Sequence, residues 1–208
     1  MLGAGRQENK SSVAREKPDA GYAASEHEEP DPVMTHPALE PVLRPFASAD
    51  AEAVSTLLGA AFGQDAEARL VHDLRGCGAF LCELVAVDPD GRIVGYVGFS
   101  RVTGAGAAHR ISIACLAPVA VSPDRQKSGI GEALIRAGLK ELGEQGIDLV
   151  LVLGPPSYYP RFGFDAGLAR QVTAPYAGAA FQALALTPAA RAALPIEVTF
   201  ATPFEAFE

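Results

Sequence analysis

The strongest constraint on the fold is the order of elements between residues 116 and 164. The apolar run Leu116-Ala117-Pro118-Val119-Ala120-Val121 reads as a strand and is followed by the polar turn Ser122-Pro123-Asp124-Arg125. A helix over 129–142 comes next, with Ile130, Leu134, Ile135 and Leu139 along one face. The stretch 148–153 is then Leu- and Val-rich without alternation, as expected of a strand buried on both faces. Strand, helix and doubly buried strand in succession belong to an α/β layer architecture.

The flanking segments fit around this unit. Val42-Leu43-Arg44-Pro45 predicts a short first strand, and Ser48 or Asp50 caps a helix running to Phe62. A second helix is expected over 67–75, ended by Gly76 and Gly78. Strands over 80–87 and 93–101 are joined by Asp88-Pro89-Asp90-Gly91, a hairpin signal. Residues 103–108 read as a loop, and the next strand covers 111–121. After a helical turn near Tyr158, strands are expected over 181–186 and 196–201, with 187–195 as the loop between them. The predicted order is β-α-α-β-β-β-α-β-α-β-β.

Composition limits the partners. The chain has 208 residues and a formal net charge of -8, which disfavours general binding to nucleic acid phosphates. Three cysteines, Cys77, Cys82 and Cys115, form no C-x-x-C pair, so neither a disulfide framework nor a zinc site is indicated. They read as small buried hydrophobes in a reducing compartment, and a nucleophilic role for Cys115 lacks a neighbouring base. No metal is expected. With no long apolar run and no secretory h-region, the expected location is the cytoplasm, away from membranes. Residues 1–38 are rich in Glu, Ala, Ser, Gly and Pro and are read as a disordered tail preceding a domain over 39–208. Met34 stands just before that domain and offers an alternative start of translation.

The phrase Gln126-Lys127-Ser128-Gly129-Ile130-Gly131 carries the chemistry. Glycines at 129 and 131 let backbone approach a bulky anion, and the first N–H groups of a helix have no internal partners. Together they suit a phosphate or pyrophosphate, although a glycine-rich helix start also occurs for packing alone. A Walker loop is excluded because no Gly-Lys-Ser/Thr follows. The dinucleotide fingerprint fails because Leu134 stands where it needs a small residue.

These residues resemble the signature of the GNAT superfamily of N-acetyltransferases, [Gln/Arg]-x-x-Gly-x-[Gly/Ala], matched by Gln126, Gly129 and Gly131 after Val121-Ser122-Pro123. The run Gly154-Pro155-Pro156-Ser157-Tyr158-Tyr159-Pro160-Arg161-Phe162-Gly163-Phe164 is similar to the YhbS-like branch of that family. The resemblance spans roughly residues 42 to 202. It implies a mixed, mostly antiparallel sheet flanked by helices and splayed between the fourth and fifth strands. It also implies an acetyl-CoA donor bound by Val119, Ala120, Val121, Gln126, Lys127, Ser128, Gly129, Ile130 and Gly131. Lys127 departs from the pattern, since many members carry a second glycine there.

By the same resemblance, the strand 116–121 pairs with the pantetheine arm and the Val119 N–H polarises the thioester carbonyl. Pro118 supports a bulge or an unpaired edge on physical grounds, because proline cannot donate to the ladder. Tyr159, at Tyr-x-x-x-Gly-Phe spacing, is the expected general acid; packing against the cofactor's thiol end is the other reading. Tyr158 reads as packing, Phe162 and Phe164 as core anchors, and Arg161 as a surface charge or substrate contact. Glu83 and His109 are the candidates for a base, without an assignment. His72 is placed on a helix surface, and His27 and His36 in or beside the tail.

The implied reaction is direct attack of an amine, on a small molecule or a peptide, on acetyl-CoA within a ternary complex. A non-catalytic acyl-CoA-binding regulatory module is the alternative; Tyr159 favours the enzyme. A hydrolase has no G-x-S-x-G elbow to support it. A homodimer through the C-terminal strands is compatible with the pattern.

Overall fold

Asp88 fixes the first hairpin. Its Oδ1 accepts the N–H groups of Asp90 at 3.1 Å and Arg92 at 2.8 Å, and Gly91 turns the chain with φ of 81°. In this computed structural model, which describes residues 40–105, 111–176 and 178–207, the hairpin joins β2 (Phe80–Val87) to β3 (Ile93–Ala105). The tail at 1–38 with Met34, His27 and His36, the 106–108 part of the expected loop, and His109 lie outside the described residues.

Added to the hairpin are β1 (Val42–Pro45), β4 (Ile113–Val121), β5 (Leu149–Leu153) and β7 (Phe181–Ala185), in the order β1-β2-β3-β4-β5-β7. Only β4 and β5 run parallel along this path, joined by helix α3 (Ile130–Glu144). Asp148 ties the two ends together: its carboxylate accepts the Ser112 N–H at 2.9 Å and the Thr187 hydroxyl at 2.6 Å.

Helix α3 lies on one face of the sheet. Its apolar stripe (Ile130, Leu134, Ile135, Leu142) packs with Val97, Phe99, Leu116 and Val150 in a single cluster. The approach is close, because a Cβ on Gly138 would stand 2.1 Å from the Phe99 ring and one on Gly95 would stand 2.7 Å from Ile130. The opposite face is covered by α1 (Ala51–Phe62) and α2 (Ala66–Gly76). Their buried residues, Val54, Leu57 and Leu58, and Leu70, Val71 and Leu74, recur at helical spacing. A 3-10 turn at Ser48–Asp50 precedes α1, and Gly78 (φ 66°) turns the chain after α2.

Several sequence expectations need correction. Residues 103–105 continue β3 instead of opening a loop, since they find a partner 90-odd positions away: Thr103, Gly104 and Ala105 pair with Thr199, Val198 and Glu197 of β8 (Ile196–Thr199). That strand stops at Thr199, short of the expected 201, and also pairs with the two-residue β6 (Val172–Thr173). The expected loop over 187–195 contains the short helix α5 (Pro188–Ala192), started by the Thr187 hydroxyl accepting the Ala190 N–H at 3.4 Å. A further short helix, α4 (Ala166–Ala169), follows an Asp165 cap, and Thr202–Phe207 forms a 3-10 turn. These pieces are too short for periodicity to reveal them. The strand at 149–153 is buried on both faces as expected, except for its last residue, Leu153.

Among the described residues no helix is long and apolar enough to cross a membrane, and no group of His, Cys, Asp or Glu is arranged to hold a metal.

Two outcomes follow from the packing and the buried charges. Gly138→Ala forces the Phe99 ring aside and is expected to lower stability by about 1–3 kcal/mol in urea titration, as overpacking does. A loss within error would mean that α3 does not lie this close to β3. Stability is also expected to fall at both ends of the pH scale. The Arg44 guanidinium, 2.6 Å from Asp50, holds that carboxyl down at about 2, so its contribution is present above the ordinary carboxylate range and lost toward pH 2. Burial pushes the Cys115 thiol and the Tyr159 phenol up to about 12, so their neutral forms support the fold below about pH 9 and that support drains away as the pH climbs toward 12. Calorimetric melting across pH should show Arg44→Ala below wild type at pH 7, with the gap closing toward pH 2.

Candidate active site

The site begins with a miscount in one ladder. Between the pairs Val97↔Val119 and Phe99↔Leu116, the two residues Ala117 and Pro118 face the single Gly98. Pro118 had pointed to a bulge or an unpaired edge, and the irregularity here is a bulge. One extra residue reverses the alternation of side chains. Ahead of the bulge Leu116 packs on the α3 side and Cys115 on the other; beyond it Val119 and Val121 pack on the α3 side and Ala120 against α1.

The parallel pairing of β4 with β5 ends at the same place, its last pair being Leu116↔Val152. The outer edge of β4 is therefore unpaired from residue 117 onward, which is the splay between the fourth and fifth strands. Alternation of the antiparallel ladder then decides where the backbone points. Ser122 donates its N–H to Val94 of β3 at 2.9 Å, so Ala120 also faces β3, and the N–H groups of Val119 and Val121 turn to the open edge. The Val121 carbonyl turns the same way and accepts the Gln126 side-chain amide at 3.3 Å.

A cavity of about 640 Å³ fills the splay. Val119, Val121, Gln126, Gly131 and Tyr159, all predicted from sequence, line it, and so do Tyr158 and the opposite wall at Leu153, Gly154 and Pro155. The remaining predicted residues do not line it. Ala120 packs with Val54 and Leu57, Ile130 is anchored in the core under α3, and Lys127, Ser128 and Gly129 form the exposed turn at the helix start.

That turn is shaped by two residues with left-handed backbone, Lys127 at φ 64° and Gly129 at 89°. The Ser128 hydroxyl closes it on the Arg125 carbonyl. The first intrahelical bond runs from Ala133 to Gly129, and no side chain caps the helix. The N–H groups of 130 to 132 are thus left for a ligand, and the space beside Gly129 is open. Lys127 occupies a conformation in which glycine is at ease, consistent with the second glycine that the resemblance leads one to expect there.

The turn Tyr159–Phe162 closes the cavity from the far side. Tyr159 lies flat against Gly154, where a Cβ would stand 2.3 Å from its ring, and meets Tyr158 edge-on at 5.2 Å. Burial, with smaller contributions from Tyr158 and Cys115, raises its phenol to about 12, so the hydroxyl keeps its proton at neutral pH. Tyr158 packs on Tyr159 and Phe162, as expected, and a Cβ on Gly131 would lie 3.4 Å from its hydroxyl, which places the Tyr158 oxygen at the start of α3. Arg161 stacks over the Tyr158 ring at 4.5 Å and donates to its carbonyl at 2.9 Å. Phe162 and Phe164 are buried, as expected of anchors.

Glu83 does not line the cavity. Its Oε1 accepts both the Arg75 guanidinium and the Tyr96 hydroxyl at 2.7 Å beneath α2, so the carboxylate is committed to neutralising Arg75. His72 is exposed on α2.

The other end of the cavity is formed by Phe62, Glu67 and Leu70 of the first two helices, where the resemblance puts acceptor specificity, and by Tyr176, Phe200 and Phe204 in place of the 187–195 segment that it also implies. No motif marks these residues. Only the pairing of β8 with the far end of β3 carries the C-terminal aromatic residues to the splay.

Comparison with known proteins agrees with this geometry. Residues 78–166 match the model for the acetyltransferase (GNAT) domain. The uncharacterized N-acetyltransferase YhbS of Escherichia coli K12 is 41% identical over 116 residues, which cover 56% of this chain and 68% of that protein. The crystal structure of Escherichia coli YhbS in complex with CoA superposes with a TM-score of 0.76 at 35% identity, over 84% of this chain and 97% of that one. A GNAT family acetyltransferase from Brucella melitensis in complex with acetyl-CoA follows at TM-score 0.65 and 33% identity, over 78% and 97% of the two chains. The splayed sheet, the glycine turn at the head of α3 and these relatives lead to one conclusion: the chain belongs to the GNAT acetyltransferase family and is an enzyme of that class.

Proposed function

We propose that the enzyme moves an acetyl group from acetyl-CoA to an amine by direct attack within a ternary complex. The observation that carries this reading is the open edge of β4, where the Val119 and Val121 N–H groups meet a cavity that Tyr159 also lines. The residues suit the donor. The free N–H groups heading α3 and the turn Gln126 to Gly131 would hold its pyrophosphate, and Lys127 adds a nearby positive charge. The edge of β4 would hold the pantetheine arm as an added strand, through the backbone of Val119 and Val121, while Ala120, predicted from sequence to join them, is turned to β3. Bound acetyl-CoA supplies the thioester; everything else is the work of the chain.

In this reading the Val119 N–H donates to the thioester oxygen as negative charge builds there. Tyr159 donates a hydrogen bond to the departing sulfur. Its phenol, at about 12, is a weaker acid than a thiol by some three to four pK units, so it does not simply surrender its proton. It holds the sulfur and passes on the proton that the nitrogen loses. The regulatory-module alternative gives no role to this hydroxyl and is disfavoured by family membership. The three free thiols, one exposed and two buried, suit a reducing cytoplasm, and assembly as a homodimer belongs to the same proposal.

Gly129→Val should leave the protein folded, because the space beside position 129 is open, while a β-branched residue cannot adopt a φ of 89°. Calorimetry should then show acetyl-CoA affinity down by about a hundredfold, or roughly 2.7 kcal/mol. Binding at wild-type strength would remove the turn from the donor site. Tyr159→Phe should lower kcat by about 10²-fold or more, with acetyl-CoA affinity little changed. Unchanged turnover with every active acceptor would exclude the hydroxyl from the reaction.

A further inference from the structure

The cavity passes from one face of the sheet to the other, and its two ends differ in chemistry. At the α3 end stand Gln126, Gly131 and the two tyrosines, beside the free helix N–H groups. Past the bulge the wall is aromatic. Tyr176 meets Phe200 at 5.2 Å and Phe181 at 6.4 Å, and Phe200 meets Phe204 at 5.6 Å, all in one hydrophobic cluster with Leu70 and Cys115. Phe62, at the end of α1, also lines the cavity and keeps 42% of its surface exposed, so its ring is accessible from the mouth. Glu67, in the first turn of α2, is the one charged side chain among the described residues of the lining, and no Lys or Arg is among them.

Resting on the reading of this cavity as the acetyl-transfer site, we propose that the acceptor is a small primary amine carried on an aromatic or similarly flat apolar group. Its ring sits among Tyr176, Phe181, Phe200 and Phe204, under the edge of Phe62, where edge-to-face contact is available. Glu67 attracts the ammonium as it arrives. The apolar wall beyond disfavours the charged form, so the ammonium sheds a proton to solvent before it reaches the bulge. This accounts for a cavity with no histidine among its described lining residues and with Glu83 already paired elsewhere. The neutral nitrogen then attacks the thioester carbon. The carbon–nitrogen bond forms, the carbon–sulfur bond breaks, and the second nitrogen proton ends on sulfur. A polyamine or an aminoglycoside carries several cations into a lining with one carboxylate, and would have to desolvate the rest unpaired.

The test compares 2-phenylethylamine, tryptamine, spermidine, an aminoglycoside and a lysine-containing peptide as acceptors, with acetyl-CoA affinity measured in parallel. Transfer is read as release of free thiol. The two aromatic amines are expected to exceed the others by at least about tenfold in kcat/KM. Phe200→Ala, and Phe62→Ala at a position exposed enough to leave folding intact, should each raise KM for the aromatic amines by about fivefold or more while acetyl-CoA affinity stays within about twofold. Glu67→Gln should raise that KM in the same direction. Retained acetyl-CoA binding with transfer favouring spermidine, the aminoglycoside or the peptide, or with no transfer to the aromatic amines, overturns the acceptor assignment alone. Failure to bind acetyl-CoA overturns the donor reading and this proposal with it.

Discussion

Two residues facing one, at Ala117 and Pro118 against Gly98, set the character of this molecule. A regular β4 would carry Val119 and Val121 on the face opposite Leu116. The bulge turns both to the α3 side, at the point where the parallel ladder with β5 ends at Leu116. Buried backbone groups left without partners cost about 1–3 kcal/mol each, so an open edge of this kind is retained only where something else satisfies it. Gln126 already answers for the Val121 carbonyl, and the N–H groups remain for a ligand that offers acceptors in strand geometry.

The glycine turn depends on the same sheet. Helix α3 is held against β3 at backbone distance, with Ile130 over Gly95 and Phe99 over Gly138, so its first turn has little freedom to shift. The N–H groups at its head are fixed by the core and not by the loop that precedes them. This explains how Lys127 can sit at a φ of 64°, at a cost of about 1–2 kcal/mol, without displacing the turn. The strain is borne by a well-anchored neighbourhood.

What the sequence disclosed follows the range of its signals. The strand–turn–helix phrase, the Asp88 hairpin and the long helices α1 to α3 are local, so periodicity and turn chemistry sufficed to place them within a residue or two. Pro118 signalled a bulge or an unpaired edge, because a missing N–H is visible in a single letter, and the resemblance chose the bulge; both are present. Contacts made across long separations were not legible. The extension of β3 to Ala105 exists only because β8 pairs with it, and nothing near Thr103 announces a partner at Thr199. The aromatic end of the cavity was hidden for the same reason, since Phe62, Tyr176 and Phe204 become neighbours only through the fold. Side-chain direction was also beyond reach. Ala120 and Ile130 belong to the segments that shape the site, yet one packs against α1 and the other under α3.

The pairing of β3 with β8 has a further meaning for how such a protein diversifies. One half of the cavity is built from one continuous stretch, β4 through the Tyr159 turn, packed against the centre of the sheet. The other half is assembled from the tip of the α1–α2 pair and a C-terminal segment attached to the sheet through three residue pairs. A chain built this way can exchange the second half piecemeal, by lengthening a turn or replacing an aromatic residue after β8, while the first half stays fixed by its packing on the sheet. One half is held by the core; the other is free to be rebuilt.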